Sequence, residues 1–127
     1  LLDSSVLIPM RDDDKALTAK VAALGGSLAM SIISQVELES GVHRKPDLAA
    51  SRRSRLDAML EALPVLAFAD REARAYGAIV AAAGYSRRKL LDRMIAAQAL
   101  VAGATLVTLN PDNFADVPGL KIHALQA

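Results

Sequence analysis

The sequence predicts an α/β fold in three α/β/α layers, with helices on both faces of a central, mainly parallel sheet. Short β-branched and apolar runs alternate with longer helical patterns, and glycine or proline closes most of those patterns. Such alternation is typical of parallel sheets, because a crossover between parallel strands needs a connection of helical length. No repeat or linker divides the chain, so one domain over residues 1–127 is predicted.

Each predicted element rests on its residues and on the signal that ends it. The predicted strands are Leu1–Asp3, Leu28–Ile33, Val65–Phe68, Thr105–Leu109 and Lys121–Leu125. The predicted helical segments are Val6–Met10, Lys15–Leu24, Ser34 to about Gly41, Asp47–Leu63, Asp70–Ala83 and Leu90–Ala102. Ser34 and Asp70 are predicted N-caps. The predicted helix ends are Gly25-Gly26, Pro64, Gly84 and Gly103.

The composition excludes several kinds of site. Cysteine is absent, which excludes disulfides, thiolate zinc sites and cysteine nucleophiles. Hydrophobic residues make up 53% of the chain but aromatic residues only 3%, which argues against RNA recognition by stacking on a sheet. The net charge is +1, so nucleic-acid binding would depend on local basic patches. No targeting segment or membrane span is predicted, and a cytoplasmic protein is expected.

Three acidic residues are predicted to meet at one edge of the sheet. Asp3 ends the first strand, Glu37 lies in the first turn of the helix after the second, and Asp92 lies in the first turn of the helix before Thr105–Leu109. Ligands of such sheets gather at the carboxyl ends of the strands. Clustered carboxylates repel unless a cation lies between them, and oxygen ligands favour Mg²⁺ or Mn²⁺.

Each acid also has a purely structural interpretation. Ser34-Gln35-Val36-Glu37 fits a capping box, in which Glu37 would accept a backbone N–H. Asp92 fits a first-turn acid that the helix dipole stabilises. Asp3 fits an Asx turn. The separations along the chain are too long for spacing alone to show that the three converge.

Four segments resemble the motifs of the PIN-domain family, and in particular VapC-like toxins of type II (VapBC) toxin–antitoxin systems. Leu1–Ile8 resembles the opening strand with its first acid, Ser34–Gly41 the second motif with Glu37, and Leu91–Ala99 the third with Asp92. Leu106–Phe114, followed by Val117–Leu120, resembles the closing segment. The four segments occur in the family's order along nearly the whole chain.

The resemblance implies an endoribonuclease toxin that hydrolyses RNA with Mg²⁺ or Mn²⁺ and is inhibited by a small antitoxin. Asp3, Glu37 and Asp92 would hold the metal, with Asn110 or Asp112 as a further ligand. The residues expected to position the metal's waters or the phosphate are Ser4, Thr108 and Asn110. Those expected to hold the RNA backbone are Arg87, Arg88, Lys89 and Arg93. A homodimer is expected, as is an antitoxin arginine drawn to the acidic site.

The sequence departs from the family's pattern in ways that keep alternatives open. Ser4 and Ser5 stand where threonine and asparagine are common, and Asn110 and Asn113 stand where a fourth acid often lies. The missing acid motivates a second hypothesis, a non-catalytic module that binds RNA or an antitoxin. A third, a phosphoacceptor receiver domain, would have only Asp70 and Lys121 for its chemistry and lacks the acid pair after the first strand.

Overall fold

Helices and short parallel strands alternate along residues 1–126, the part of the chain that the computed structural model describes. The helices are α1 (Ser4–Arg11), α2 (Lys15–Ala22), α3 (Ile32–Arg44), α4 (Ala49–Ala62), α5 (Asp70–Ala83) and α6 (Leu90–Ala102). The strands are β1 (Met30–Ser31), β2 (Val65–Leu66), β3 (Leu106–Thr108) and β4 (Ile122–Ala124). Two 3₁₀ turns cover Pro46–Leu48 and Pro111–Phe114.

The strands form two parallel pairs that Leu2 joins. β1 pairs with β2, and β3 pairs with β4. Leu2 makes isolated parallel bridges to Met30 of β1 and Val107 of β3, so it lies between the pairs. The predicted α/β class with parallel strands is confirmed, whereas the three-layer arrangement around one central sheet stays a prediction. The predicted strands were too long, and Leu1–Asp3 contributes only the bridges of Leu2.

Two clusters of buried residues form the core. One lies among α1 to α4 and contains Leu2, Val6, Leu7, Leu17, Val21, Met30, Leu38, Val42, Leu56 and Val107. The other lies against α5 and α6 and contains Leu1, Ile79, Ile95, Ala96, Ala97, Ala99, Leu106, Phe114 and Val117. Adjacent residues such as Leu106 and Val107 belong to different clusters, because successive side chains of a strand point to opposite faces.

Both helices of the second half have their predicted bounds. α5 ends before Gly84 with a φ of 82°, and α6 ends before Gly103 with a φ of 63°. Glycine adopts these positive φ values without the steric cost that other residues incur. The predicted N-cap Asp70 was wrong, because Asp70 is already helical and Ala69 precedes it as the cap residue. The long helix predicted over Asp47–Leu63 is a 3₁₀ turn followed by α4.

α3 differs from its prediction at both ends. Its N-cap is Ser31, whose hydroxyl accepts from the Ile33 N–H at 2.8 Å, so the predicted cap Ser34 lies inside the first turn. The helix also continues past Gly41 to Arg44. Gly41 faces the buried Arg11 guanidinium, which an added Cβ would overlap. This glycine therefore serves close packing rather than helix termination.

Within residues 1–126, none of the helices combines the length and apolar character that crossing a bilayer requires.

Candidate active site

Asp3 is held by two hydroxyl groups at the carboxyl end of β3. Its backbone carbonyl accepts from the N–H groups of Val6 and Leu7, which starts α1 and leaves the side chain free for other contacts. The Ser5 hydroxyl donates to Asp3 Oδ2 at 2.7 Å, and the Thr108 hydroxyl donates to the same oxygen at 2.9 Å. Asp3 is only 3% exposed, so the fold fixes this buried carboxylate from two sides.

Backbone N–H groups orient the two hydroxyls. Leu109 N donates to Ser5 Oγ at 3.1 Å, and Asn110 N donates to Thr108 Oγ1 at 2.9 Å. Each hydroxyl thus accepts from the backbone and directs its one proton at Asp3. The second carboxylate oxygen, Asp3 Oδ1, is buried and has no hydrogen-bond partner. A buried oxygen with negative charge and free lone pairs is costly, and a cation would satisfy it.

Glu37 is connected to Asp3 through neighbouring serines. The Ser4 hydroxyl lies 2.8 Å from both Glu37 Oε1 and Ser34 Oγ. A carboxylate only accepts, so Ser4 donates to Glu37 and Ser34 donates to Ser4. This arrangement excludes the capping-box interpretation of Glu37, because the cap of α3 is Ser31 and Glu37 accepts from a side chain of α1.

Asp92 lies in the first turn of α6, and the charges of both other acids affect its pKa. Burial, followed by the negative charges of Asp3 and Glu37, raises its pKa from 3.8 to about 6, against a smaller opposing effect of Lys89. Proximity to negative charge raises a carboxyl pKa only over short distances. Asp3 and Glu37 therefore lie near enough to Asp92 to affect its pKa, while the binding of one metal ion by the three acids stays a prediction.

The three side chains do not form a closed ligand set in the positions they have here. Within residues 1–126, no three Asp, Glu, His or Cys side chains come together as a group able to hold a metal ion. The charges of Asp3 and Glu37 raise the pKa of Asp92, but the three carboxylates are not grouped closely enough here to share an ion, as expected of like charges. The unpartnered Asp3 Oδ1 and the all-oxygen donor set nevertheless fit a hard divalent cation.

The basic residues before and after Asp92 divide into two kinds. Arg87 and Arg88 are exposed, and neither forms an ion pair within the described chain. Arg93 is 2% exposed, donates to the Gly84 carbonyl and pairs with Asp116 at 3.0 Å, while Lys89 pairs with Asp116 at 3.2 Å. The predicted contact of Arg93 with an RNA backbone is wrong for this structure, because its guanidinium is buried and used internally.

A cavity of about 210 Å³ opens beside Asp92 and is lined by Arg88, Lys89, Asp92 and Asn113. It joins positive side chains, an amide and one acid of the site in a single recess. A larger cavity, about 380 Å³, lies instead at the amino ends of β1 and β3, among residues such as Leu28 and Thr105, and no acidic side chain lines it. The smaller cavity is therefore the one placed for chemistry.

Comparison with known proteins identifies the fold that builds this site. The sequence profile of the PIN domain matches residues 1–120. The chain belongs to the PIN domain family. Such domains are typically nucleases that depend on divalent metal ions. No curated protein sequence matches the chain.

Several solved structures share the PIN fold with this chain. VapBC2 from Rickettsia felis, bound to a DNA fragment of its promoter, matches with a TM-score of 0.84 at 23% identity, covering 98% of this chain and 97% of that one. VapBC-1 from nontypeable Haemophilus influenzae matches with a TM-score of 0.76 at 25% identity, covering 97% and 95%. VapBC-5 from Mycobacterium tuberculosis matches with a TM-score of 0.71 at 25% identity, covering 99% and 96%.

The remaining predicted residues of this PIN domain lie at the margin of the site. Asn110 is exposed, and it contributes to the site through its backbone N–H, which donates to Thr108 Oγ1. Asp112 is exposed in the second 3₁₀ turn, and its charge is not among those that raise the pKa of Asp92. Sequence reasoning missed Ser34 and the direct bond of Ser5 to Asp3. Both are serines in a first turn, one in the helix that follows Asp3 and one in the helix that carries Glu37, and this is the signal that could have found them.

Proposed function

We propose that this PIN domain is the ribonuclease toxin of a VapBC-type toxin–antitoxin pair and uses Mg²⁺, or Mn²⁺, to hydrolyse RNA phosphodiester bonds. The observation that supports it most is the buried, unpartnered Asp3 Oδ1 in a site where Glu37 and Asp92 lie close enough to raise a pKa. Negative charge gathered without internal compensation favours a divalent cation. The proposal includes residues 1–127 acting as a single nuclease domain.

Asp3, Glu37 and Asp92 would hold the cation, with Asn110 or Asp112 as a further ligand. Glu37 and Asp92 are half-buried rather than enclosed, so rotation about their side-chain bonds can bring their oxygens toward Asp3. When bound, the cation supplies an activated water and neutralises charge on the phosphate. Ser5 and Thr108 fix Asp3, and Ser4 fixes Glu37, so these hydroxyls keep two of the three acids in place.

The cavity beside Asp92 would receive the RNA backbone next to the scissile bond. Arg87 and Arg88 are exposed without ion pairs in the described chain, and Lys89 shares the rim. Replacing Arg87 or Arg88 by alanine should weaken RNA binding and reduce the magnitude of the logarithmic salt dependence by about 0.7 for each phosphate that the protein no longer neutralises. Arg71→Ala, an exposed arginine on α5, is the matched control and should leave the salt dependence unchanged.

Cleavage assays with metal-site variants test the catalytic proposal. Asp3→Asn and Asp92→Asn should each abolish RNA cleavage with Mg²⁺ and with Mn²⁺, while circular dichroism shows an intact fold. Asp47→Asn, at an exposed acid before α4, should cleave like the parent protein. Full activity of both site variants would refute the proposal.

The VapBC complexes among the solved structures support an antitoxin partner for this chain, and the alanine-rich helices offer flat faces for it and for a homodimer. An arginine of the antitoxin would enter the acidic site and displace the cation. Co-expression with a cognate antitoxin should suppress cleavage, and excess Mg²⁺ should partly restore it. An inhibited complex whose acids remain free and metal-filled would contradict this part of the proposal.

A second candidate is a PIN fold that binds RNA or an antitoxin without cutting. Two observations favour it: the acids form no closed ligand group within residues 1–126, and Asn110 and Asn113 stand where a fourth acid is common. Metal titration with purified RNA separates the candidates. RNA that is bound but uncut across the whole range of Mg²⁺ and Mn²⁺ concentrations would favour the binding module.

A further inference from the structure

A buried glutamine connects the two helices that hold Glu37 and Asp92. Gln98 lies in the middle of α6 and is 1% exposed. Its amide nitrogen donates to the Leu66 carbonyl at 2.8 Å and to the Ala67 carbonyl at 3.0 Å, at the carboxyl end of β2. Its amide oxygen accepts from the hydroxyl of Ser31. One side chain thus binds α6, β2 and the start of α3 together.

Ser31 is the residue that starts α3. Its hydroxyl donates to Gln98 while accepting from the Ile33 N–H, so the same oxygen caps the helix and connects it to α6. Ser31 itself is 0% exposed. The position of the first turn of α3 relative to α6 is therefore determined by a bond between two buried side chains rather than by apolar packing alone.

The bond between Ser31 and Gln98 lies equally far, along each helix, from the acid that the helix carries. Glu37 is six residues after Ser31 on α3, and Asp92 is six residues before Gln98 on α6. At the helical rise per residue, each acid lies about 9 Å along its helix from the connecting pair. A shift of one helix against the other would change the separation of the two carboxylates directly.

The position of the Asp92 side chain depends on this connection between helices more than the positions of Asp3 and Glu37 do. Asp3 is fixed by Ser5 and Thr108, and Glu37 accepts from Ser4. The Asp92 side chain has no hydrogen-bond partner in the described chain, so its position follows the position of α6. Gln98 also adds to stability, because its loss would leave the Leu66 and Ala67 carbonyls and the Ser31 hydroxyl without these partners. Buried polar networks select one arrangement over similar ones.

We propose that Ser31 and Gln98 are a positioning pair that sets the separation of Glu37 and Asp92 and thereby the affinity of the site for a divalent cation. The inference rests on the proposed metal site. Neither residue touches the reacting atoms, and both act through the helices that carry the acids.

Mn²⁺ binding to the protein without RNA tests the pair. Gln98→Met keeps the length and flexibility of the side chain and removes its hydrogen bonds. It should weaken Mn²⁺ binding, followed by calorimetry or electron paramagnetic resonance, by about tenfold or more, as expected when an outer support of a metal site is removed. In RNA cleavage the same variant should need more Mg²⁺ for half-maximal rate, with little change in the KM for RNA.

Ala99→Gly provides the matched control for simple loss of stability. Ala99 is buried on the same helix, and glycine there lowers stability without removing a polar contact. It should bind Mn²⁺ as the parent protein does. Parent-like Mn²⁺ affinity in Gln98→Met, or a tenfold loss in Ala99→Gly as well, would overturn the positioning role. Absence of Mn²⁺ binding to the parent protein would instead defeat the proposed function, and this inference with it.

Ser31→Ala keeps the inference testable should Gln98→Met fail to fold. It removes the other end of the same bond and should weaken Mn²⁺ binding in a similar way. In the double variant the two losses in binding should combine to much less than their product, because each substitution breaks the same connection. Multiplicative losses would show that the residues act separately and would overturn the pair.

Discussion

The two ends of the acidic site are built in opposite ways. At the β3 end, Asp3 is buried but supported, since the Ser5 and Thr108 hydroxyls donate to one of its oxygens. At the α6 end, Asp92 has no such donor in the described chain, and burial with two neighbouring charges raises its pKa to about 6. The first end is organised before any ligand arrives. The second holds a carboxyl group in surroundings that disfavour its charge, as is common at functional sites.

Removing a hydroxyl group that donates to Asp3 should have the largest effect on the free energy of unfolding. Thr108→Val keeps the shape but deprives the Asp3 carboxylate of a donor and leaves Asn110 N without its acceptor. We expect a loss of about 3 kcal/mol in the free energy of unfolding, since hydrogen bonds to charged groups are the strong ones. Urea denaturation measures it. Thr18→Val, at an exposed position of α2, should change stability little, and equal losses in both variants would remove the distinction.

At Asp92 we expect a substitution to raise the free energy of unfolding rather than to lower it. Asp92→Asn removes a charge that the metal-free protein holds at a cost, so the variant should be more stable than the parent by about 2 kcal/mol at pH 8. Because the folded pKa lies above the unfolded one, the cost grows as pH rises from about 4 through 6. The gain should therefore vanish near pH 4. Thermal denaturation at both pH values in the presence of a chelator measures it, and a variant less stable than the parent at pH 8 would contradict the contrast.

Part of the candidate site and part of the fold could be predicted from the sequence. Asp3, Glu37 and Asp92 were singled out because ligands of parallel sheets gather at the carboxyl ends of the strands, and their role as a metal site stays a prediction. The ends of α5 and α6 were found because Gly84 and Gly103 are local signals. These inferences need only nearby residues and a general rule of sheet topology.

The rest depends on contacts between distant segments. Thr108 reaches Asp3 across 105 positions, and no spacing rule identifies that partner. Arg93 looked like part of an exposed basic run, but Asp116 and the Gly84 carbonyl draw it into the interior. The strand predicted over Leu28–Ile33 was too long because Ser31 already caps α3, and β-branched residues after it are compatible with either structure.

Ser5 provides a smaller test of the organised end. Ser5→Ala removes the second donor to Asp3 Oδ2 and the acceptor of Leu109 N. The residue is only half-buried and water can partly replace it, so a loss of about 1 kcal/mol in the free energy of unfolding is expected. Mg²⁺-dependent cleavage should fall further than this loss explains, because Asp3 becomes free to rotate. Unchanged cleavage at saturating Mg²⁺ would show that Thr108 alone orients the carboxylate.

The smallest expected effect concerns the ion pairs that hold the start of α6. Arg93 and, less strongly, Lys89 lower the pKa of Asp116 through hydrogen bonds. A lowered folded pKa adds stability that is present above the unfolded pKa near 4 and is lost as pH falls through the folded value. Asp116→Asn should therefore lower the Tm by about 1 to 3 °C at pH 7, with solvent weakening these half-exposed pairs, and by less near pH 2. A fall in Mn²⁺ affinity without a comparable fall in Tm would mean that Asp116 also orients Asp92 through α6. Asp92 would then be held in place indirectly, by the ion pairs of Asp116.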